Sequence, residues 1–209
     1  PWISSGHASN RLTGGGKIKD VELPDGRKYK FFYNSYTELA RVEIPTGGAI
    51  EYDYETVGNF SLERRIIERR IYSNGSTLDS KTIYEYSDSS PYVVVNIIPS
   101  ERWTKVKLYD NQNDLKSVSK HYFWGCSEYC QVTNNPADPQ SAYKLLTGQQ
   151  FKSEVFDSNG TTVLRRSETS REARRRLSWT NGVNPPYVDY RVTQVVSTLT
   201  DSGQVSKVT

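Results

Sequence analysis

What this sequence contains least of limits the kinds of protein it encodes. Among 209 residues there is no methionine, and there are only two cysteines and two histidines. Because the chain starts at Pro1 and has no start methionine, we expect it to be a piece of a longer protein. No apolar run approaches the length that spans a bilayer, and residues 1–30 contain no signal peptide. The sequence therefore predicts no membrane span.

The two cysteines, Cys126 and Cys130, lie in the segment FWGCSEYC. Three interpretations stay open for them: a disulfide, which a secreted protein would favour, a pair of free thiols, or part of a metal site. A metal site needs more ligands, and the chain offers only His7 and His121 as histidines. We favour the disulfide and predict no metal or other cofactor.

The charge is nearly balanced, with 27 basic against 24 acidic residues and a net charge of +3. Such a mixed surface lacks the basic excess of a nucleic-acid-binding protein, so we expect no nucleic-acid partner. Hydrophobic residues make up 35% of the chain, and tyrosine, with 15 copies, is the commonest large one. An antiparallel sheet with one wet face suits this composition, since half of each strand is then polar.

Strict alternation marks the strands, most clearly in IPTGGAIEYDYETVGN at residues 44–59. Apolar and acidic side chains fall there on opposite faces, as period two requires. The apolar ones are Ile50, Tyr52 and Tyr54, and the acidic ones are Glu51, Asp53 and Glu55. The acidic row predicts a solvated face opposite basic residues of a neighbouring strand, in preference to a cation site or paired catalytic carboxylates.

Hairpin turn signals recur along the whole chain, as PDG, TGG, SNG, TNG and DSG. Glycine supplies the positive φ that tight hairpin turns need. The turn glycines that we predict are Gly26, Gly48, Gly75 and Gly160. The packing tyrosines that we predict are Tyr52, Tyr54, Tyr84, Tyr86 and Tyr109. The fold class is therefore all-β: an antiparallel meander of long β-hairpins with at most one or two short helical turns.

The chain is expected to divide into a flexible N-terminal segment, 1–16, and a sheet segment, 17–209, with a loop insertion at about 124–148. Within that insertion, one helical turn is expected at 140–146. The charge pattern of 61–72 resembles an amphipathic helix, but its isoleucines and the following Asn-Gly turn favour a long strand. Residues 167–176 are the best helix candidate, with extension of a strand from Leu164 as the alternative.

Several segments resemble the RHS/YD-repeat family. YDNQNDLKSV at 109–118 resembles the YD repeat, in which Tyr-Asp is followed by two residues, then by Gly or a polar substitute, a spacer, Leu and a hydrophobic residue. The run at 44–59 resembles the variant in which a Pro-x-Gly-Gly turn precedes a Tyr-x-Tyr strand. FDSNGTTVLRR and LTDSGQVSKVT are similar to degenerate copies. Asp114 departs from the repeat, which prefers Gly-Arg before Leu.

The resemblance implies a function for the chain as a whole. In this family, which includes bacterial polymorphic-toxin carriers, toxin-complex C components and teneurins, hairpins coil into a hollow β-shell around a toxin or cargo segment. Its self-cleaving core carries an Asp-Pro-x-Gly signature, whereas Asp138-Pro139 is followed here by Gln140-Ser141. The resemblance therefore implies a non-catalytic stretch of shell wall that is secreted or displayed at a bacterial surface. Its partners would be the rest of the polypeptide and the enclosed segment.

Other function classes make different demands on the same residues. A carbohydrate-binding or adhesive module would use exposed aromatic residues as a platform, and the candidates are Trp103, Trp124 and Trp179. Uncovered sheet edges would allow self-association. An enzyme would need convergent polar groups, and His121 has no Ser or Cys partner in a recognisable nucleophile elbow. We therefore predict no enzyme activity.

Overall fold

The computed structural model describes residues 10–13, 16–56, 64–87, 100–125, 148–175 and 187–209. Within these ranges every regular element is a strand. The strands are β1 (Asn10–Thr13), β2 (Lys17–Glu22), β3 (Lys28–Tyr33), β4 (Leu39–Glu43), β5 (Ala49–Thr56), β6 (Arg64–Tyr72), β7 (Leu78–Tyr86), β8 (Ser100–Asp110), β9 (Leu115–Gly125), β10 (Gln150–Phe156), β11 (Val163–Arg175), β12 (Tyr187–Leu199) and β13 (Val205–Val208). The predicted all-β class is thus confirmed.

The strands form a meander, because their order in the sheet is the same as their order in the chain, from β1 to β13. The pairings that the structure describes in register are all antiparallel, as in β4 with β5 and β11 with β12. The chain divides into two compact units: residues 1–55, 64–83 and 108–116 in the first, and 56–63, 84–107 and 117–209 in the second.

Alternation in the sequence becomes alternation in exposure. In β3, Lys28, Lys30 and Phe32 are exposed, while Tyr29, Phe31 and Tyr33 are half-buried. Complete burial is rare among the described residues. Its hydrophobic members are Ala49 in the first unit and Val118 and Tyr122 in the second. Most strand residues are half-exposed, including every residue of β4 and β6. The strands are therefore held by backbone pairing and by side-chain contacts along the sheet more than by a deep core.

One turn geometry recurs at four places, residues 23–27, 34–38, 44–48 and 110–114. In each turn the first N–H donates to the fifth C=O, and the fourth N–H donates to the first C=O. The fourth residue has positive φ, which a three-residue hairpin loop requires. These residues are Gly26 (82°), Thr37 (72°), Gly47 (95°) and Asn113 (68°). The meander is thus built on a repeated hairpin connection.

The structure distinguishes between the two alternatives at each helix candidate. Residues 64–72 of the segment 61–72 form β6, as predicted. Residues 167–175 also belong to a strand, β11, which starts at Val163, so the helix expected at 167–176 is wrong and the strand alternative is right. β11 pairs with β12 from Arg165 to Arg175. This long-range pairing outweighs a weak local helical pattern.

Residues 10–13, assigned from the sequence to the flexible segment 1–16, form β1 and pair with β2. At the insertion expected at about 124–148, the Trp124 N–H donates to the Gln149 C=O at 3.1 Å, and the Gly148 N–H donates to the Trp124 C=O at 2.7 Å. Adjacent strands therefore close the base of this insertion. The cysteines, Trp179, Asp138 and the helical turn expected at 140–146 lie outside the described residues. None of the described residues belongs to a helix long and apolar enough to span a membrane.

Candidate functional site

The acidic row of β5 is matched by arginines from the neighbouring strands. Arg41 Nη1 of β4 lies 2.6 Å from Glu51 Oε1, in register with it. Arg70 of β6 binds Asp53 through two nitrogens, at 2.6 and 3.1 Å, and lies 3.1 Å from Glu51. Arg65 Nη2 lies 2.7 Å from Glu55. The expected pairing of this row with basic residues of neighbouring strands is confirmed.

Glu51 is the centre of this first network. Burial alone would raise its pKa, but hydrogen bonds from Tyr72, Arg41 and Arg70 together hold that pKa below its ordinary value. The Tyr72 hydroxyl donates to Glu51 Oε2 at 2.7 Å. Arg41 also donates from Nη2 to the Gly75 carbonyl at 2.6 Å. The network thus fastens the 73–77 turn to the strands beside it.

A second network surrounds Glu154 of β10, whose side chain is buried in the second unit. The buried Tyr122 hydroxyl donates to Glu154 Oε2 at 2.5 Å, and Arg166 Nε donates to Oε1 at 3.0 Å. Register places Glu154 opposite Lys120 on β9 and opposite Arg166 on β11. Burial would raise the pKa of Glu154, but these bonds lower it, so the carboxylate stays charged.

Lysines cover aromatic rings beside this carboxylate. The Lys120 ammonium lies 4.2 Å from the centre of the Trp103 ring and 4.9 Å from that of Tyr122. Lys152 lies 3.7 Å from the Tyr122 ring centre. Such cation–π contacts are worth about 0.5–1 kcal/mol each at exposed sites and more where water is excluded. The second network therefore combines charge pairing with aromatic packing across neighbouring strands.

Two of the three tryptophans considered for an aromatic platform, Trp103 and Trp124, lie among the described residues. Trp103 and Trp124 are both half-buried. Lys120 covers a face of Trp103, and Phe151 stacks on Trp124 with ring centres 4.3 Å apart. A sugar ring would need an open aromatic face, so these two contacts leave less ring area for a ligand. Trp179, the third member, lies outside the described residues.

The predicted turn glycines differ in what they do. Gly26, Gly75 and Gly160 have positive φ. Gly48 has no positive φ, and Gly47 occupies that position in its turn. At Gly48 the constraint is space, because a Cβ there would lie 3.0 Å from the Tyr72 carbonyl oxygen and 3.1 Å from Ile44 Cδ1. A glycine pair in the sequence thus contains one residue needed for conformation and one needed for close approach.

The packing tyrosines all lie half-buried in their strands. They are Tyr52, Tyr54, Tyr84, Tyr86 and Tyr109. The Tyr54 hydroxyl donates to the Leu39 carbonyl at 2.8 Å, and Lys81 lies 5.2 Å from the ring centre of Tyr109. Tyr54 and Tyr109 therefore each contact a neighbouring strand, one through its hydroxyl and the other through its ring.

One polar arrangement was not predicted from the sequence. Ser119 Oγ lies 3.0 Å from His121 Nε2, and His121 Nδ1 lies 3.2 Å from Gln150 Oε1. The available signal was Ser-x-His within an alternating strand, since residues two apart share a face. In the part of the chain that the structure describes, no three His, Cys, Asp or Glu side chains are grouped as metal ligands.

Comparison with known proteins gave matches to solved structures alone. No family model matches this chain, and no curated protein does. The crystal structure of TcdB2-TccC3-TEV is similar with a TM-score of 0.48 and 10% identity over 90% of this chain. That of TcdB2-TccC3-Cdc42 is similar with a TM-score of 0.47 and 12% identity over 86% of it. The chain spans 13% and 12% of the lengths of those two chains.

Proposed function

We propose that this chain is a structural segment of an RHS/YD-repeat shell that encloses or presents a partner or toxin segment of a longer polypeptide. The proposed role is mechanical and requires no catalysis. A meander of paired strands forms a continuous hydrogen-bonded wall, which keeps its contents away from solvent and proteases. We further propose that the complete protein is bacterial and is secreted or displayed at the cell surface.

The observation that carries this proposal is the position of the repeat-like motifs at the hairpin connections. In the segment resembling the YD repeat, Asp110 ends β8, and its Oδ1 accepts the N–H groups of Gln112 and Asp114, at 3.0 and 2.8 Å. The position where the repeat has Gly or a polar substitute is Asn113, whose φ is 68°. The residue types of the motif thus match the demands of the turn that it forms.

A degenerate copy behaves in the same way. Asp157 of FDSNGTTVLRR follows β10 and begins the connection to β11, and its Oδ1 accepts the N–H groups of Thr161 and Thr162, at 2.9 and 3.2 Å. These backbone hydrogen bonds lower the pKa of Asp157, and Gly160 supplies positive φ in the same loop. An aspartate that caps a hairpin and a permissive residue three positions later are therefore common to both copies.

The alternative function is a secreted carbohydrate-binding or adhesive β-module. Its platform would rest on Trp103 and Trp124, whose rings are covered on at least one face by Lys120 and Phe151. Half-buried tyrosines within the strands also fit a wall better than an exposed aromatic row. The shell segment is therefore the function that we favour.

Limited proteolysis of the complete native polypeptide tests containment. With an intact wall, we expect an enclosed segment to resist a protease under native conditions. In a double variant, Gly75→Ala with Gly160→Ala, added Cβ atoms would approach Gly47 O to 3.1 Å and Val118 Cγ2 to 3.2 Å. We expect this variant to lose protection, whereas Lys19→Ala, at an exposed β2 position, keeps it. Rapid cleavage of the wild-type interior would contradict the proposal.

A further inference from the structure

We propose that Ser119 is a nucleophile activated by His121, and that it accepts an acyl group from an activated ester. The proposal rests on side chains that the wall function does not use. Ser119 and His121 lie two residues apart on β9, so both project from the same face. Gln150 comes from the start of β10, on the other side of the insertion.

The hydrogen bonds place each group in the role that nucleophilic catalysis requires. Gln150 Oε1 is an acceptor, so the 3.2 Å contact favours the His121 tautomer with its proton on Nδ1. Nε2 then carries the lone pair, and it lies 3.0 Å from Ser119 Oγ. A base within about 2.6–3.2 Å of the hydroxyl, itself oriented by a third group, is the general signature of an activated nucleophile. Gln150 is thereby a positioning residue.

The backbone of Gln150 is bound by both of the strands that flank β10. Arg171 Nη1 of β11 donates to the Gln150 carbonyl at 2.7 Å. On β9, Gln150 pairs with Phe123, and a bulge follows between Gln150 and Lys152. Bulges re-aim side chains at sheet margins, and here the bulge follows the residue whose amide meets His121. The backbone of Gln150, the residue that orients the imidazole, is therefore bound by β9 on one side and by Arg171 of β11 on the other.

The strand register gives the neighbours of Ser119 on its face of the sheet. Ser119 and His121 are half-buried. Register places Val155 opposite Ser119, with Arg165 opposite Val155 on the next strand. Arg165 is exposed and stands in the same row across the sheet as Ser119. Ser119 thus has an apolar neighbour on the adjacent strand and a cation one strand further along the same row.

The proposed step balances without any further reagent. Ser119 Oγ attacks the carbonyl carbon of the ester, and its proton passes to His121 Nε2. The carbon–oxygen bond to the leaving group breaks, and the leaving group departs with the proton from Nε2. The products are an O-acyl serine and a free alcohol or phenol. Substrates with a good leaving group are the expected class.

The test is acetylation of the 209-residue chain by p-nitrophenyl acetate, followed by peptide mapping to locate the acetyl group. We expect Ser119 to be acetylated at least about tenfold faster than Ser117, an exposed serine on the same face of β9. His121→Ala should lower the Ser119 rate by about 10²-fold, the lower end of what a general base supplies. Ser117→Ala, the matched control, should leave it unchanged.

Gln150 has a separate readout. Gln150→Leu removes the acceptor and should lower the rate of Ser119 acetylation. Gln150→Glu keeps an acceptor oxygen and should retain the wild-type rate of Ser119 acetylation. Equal acetylation of Ser119 and Ser117, or an unchanged Ser119 rate in His121→Ala, would overturn the proposal.

A second pair of variants guards against misfolding effects. Ser119→Cys and Ser117→Cys can both be alkylated with iodoacetamide, which reacts with the thiolate. His121 at 3.0 Å from the side-chain position should make Cys at position 119 react faster than Cys at 117. Equal alkylation rates in two folded variants would count against activation by His121.

Discussion

At the scale of single residues, the sheet depends on a few positions where local chemistry conflicts with the backbone or with burial. Thr37 is a β-branched residue with a φ of 72°, in the turn position that glycine fills at residues 26 and 47. Glu154 is a buried carboxylate that Tyr122 and Arg166 keep charged. Both positions can be tested by one substitution, because the Thr37 side chain carries the backbone strain and the Glu154 carboxylate carries the buried charge.

Thr37→Gly should stabilise the protein. A β-branched residue with positive φ is strained by about 1–3 kcal/mol, and the greater freedom of glycine in the unfolded chain offsets part of the gain. We expect the free energy of unfolding in urea to rise by about 0.5–1 kcal/mol. Thr77→Gly is the matched control, since Thr77 lies in a comparable turn without positive φ, and it should destabilise. A loss of stability in Thr37→Gly would contradict the strain.

Glu154→Gln should lower the free energy of unfolding by about 2 kcal/mol at neutral pH, because hydrogen bonds to a charged group contribute about 1.5–3 kcal/mol. The folded state lowers the pKa of Glu154, so its contribution is full above the unfolded pKa and is lost as the pH falls through the folded one. The difference between wild type and variant should therefore shrink on acidification. Glu168→Gln, exposed on β11, should show little effect. A difference that stays constant with pH would contradict the assignment.

At the scale of elements, one hairpin connection recurs among the described turns. Four turns share one hydrogen-bond pattern, and their fourth residue always has positive φ. Neighbouring turns also touch: the 73–77 turn approaches the 44–48 turn so closely that a Cβ on Gly75 would lie 3.1 Å from Gly47 O. These turns therefore connect consecutive strands and also contact one another.

Gly26→Ala and Gly75→Ala separate these two roles. Both glycines have nearly the same φ, 82° and 81°, but a Cβ at Gly26 has nothing within 4 Å. We expect Gly26→Ala to lower the free energy of unfolding by about 1 kcal/mol from φ alone. Gly75→Ala should cost roughly 1 kcal/mol more, because backbone must shift. Urea denaturation of both variants measures the difference in the free energy of unfolding. Equal losses of stability would show that the 73–77 and 44–48 turns are not in tight steric contact.

The sequence predicts these elements unevenly, for physical reasons. Alternation is local, so β3 and β5 could be predicted from their own residues, and β6 from its isoleucines and the Asn-Gly turn that follows it. The 167–176 segment failed as a helix because pairing with β12 is decided by residues far along the chain. Ser119 and His121 are neighbours on one strand, but Gln150 joins them only through the β9–β10 register. The periodicity of one strand can be read from its own residues. The side chains that it meets on another strand depend on the pairing register, which those residues do not give.

At the scale of the whole molecule, the proposed function is that of a segment of shell wall. Few side chains are fully buried among the described residues, and the strands hold together by ladders, ion-pair networks and lysine–aromatic contacts. At one end of the strand order, β13 pairs with β12, and its Val205 and Val208 are exposed. An edge of this kind accepts a further strand. In the proposed shell that strand comes from the same polypeptide, and in isolation it would come from a second copy.

Intact mass measurement with terminal sequencing of the protein from its natural source tests this account most directly. The shell proposal predicts that Pro1 and Thr209 are internal to a much longer polypeptide, with further hairpin repeats on both sides. If the mature protein instead ends at both residues, it is too short to enclose a segment. The wall function would then be wrong, and a self-assembling or adhesive β-module would replace it.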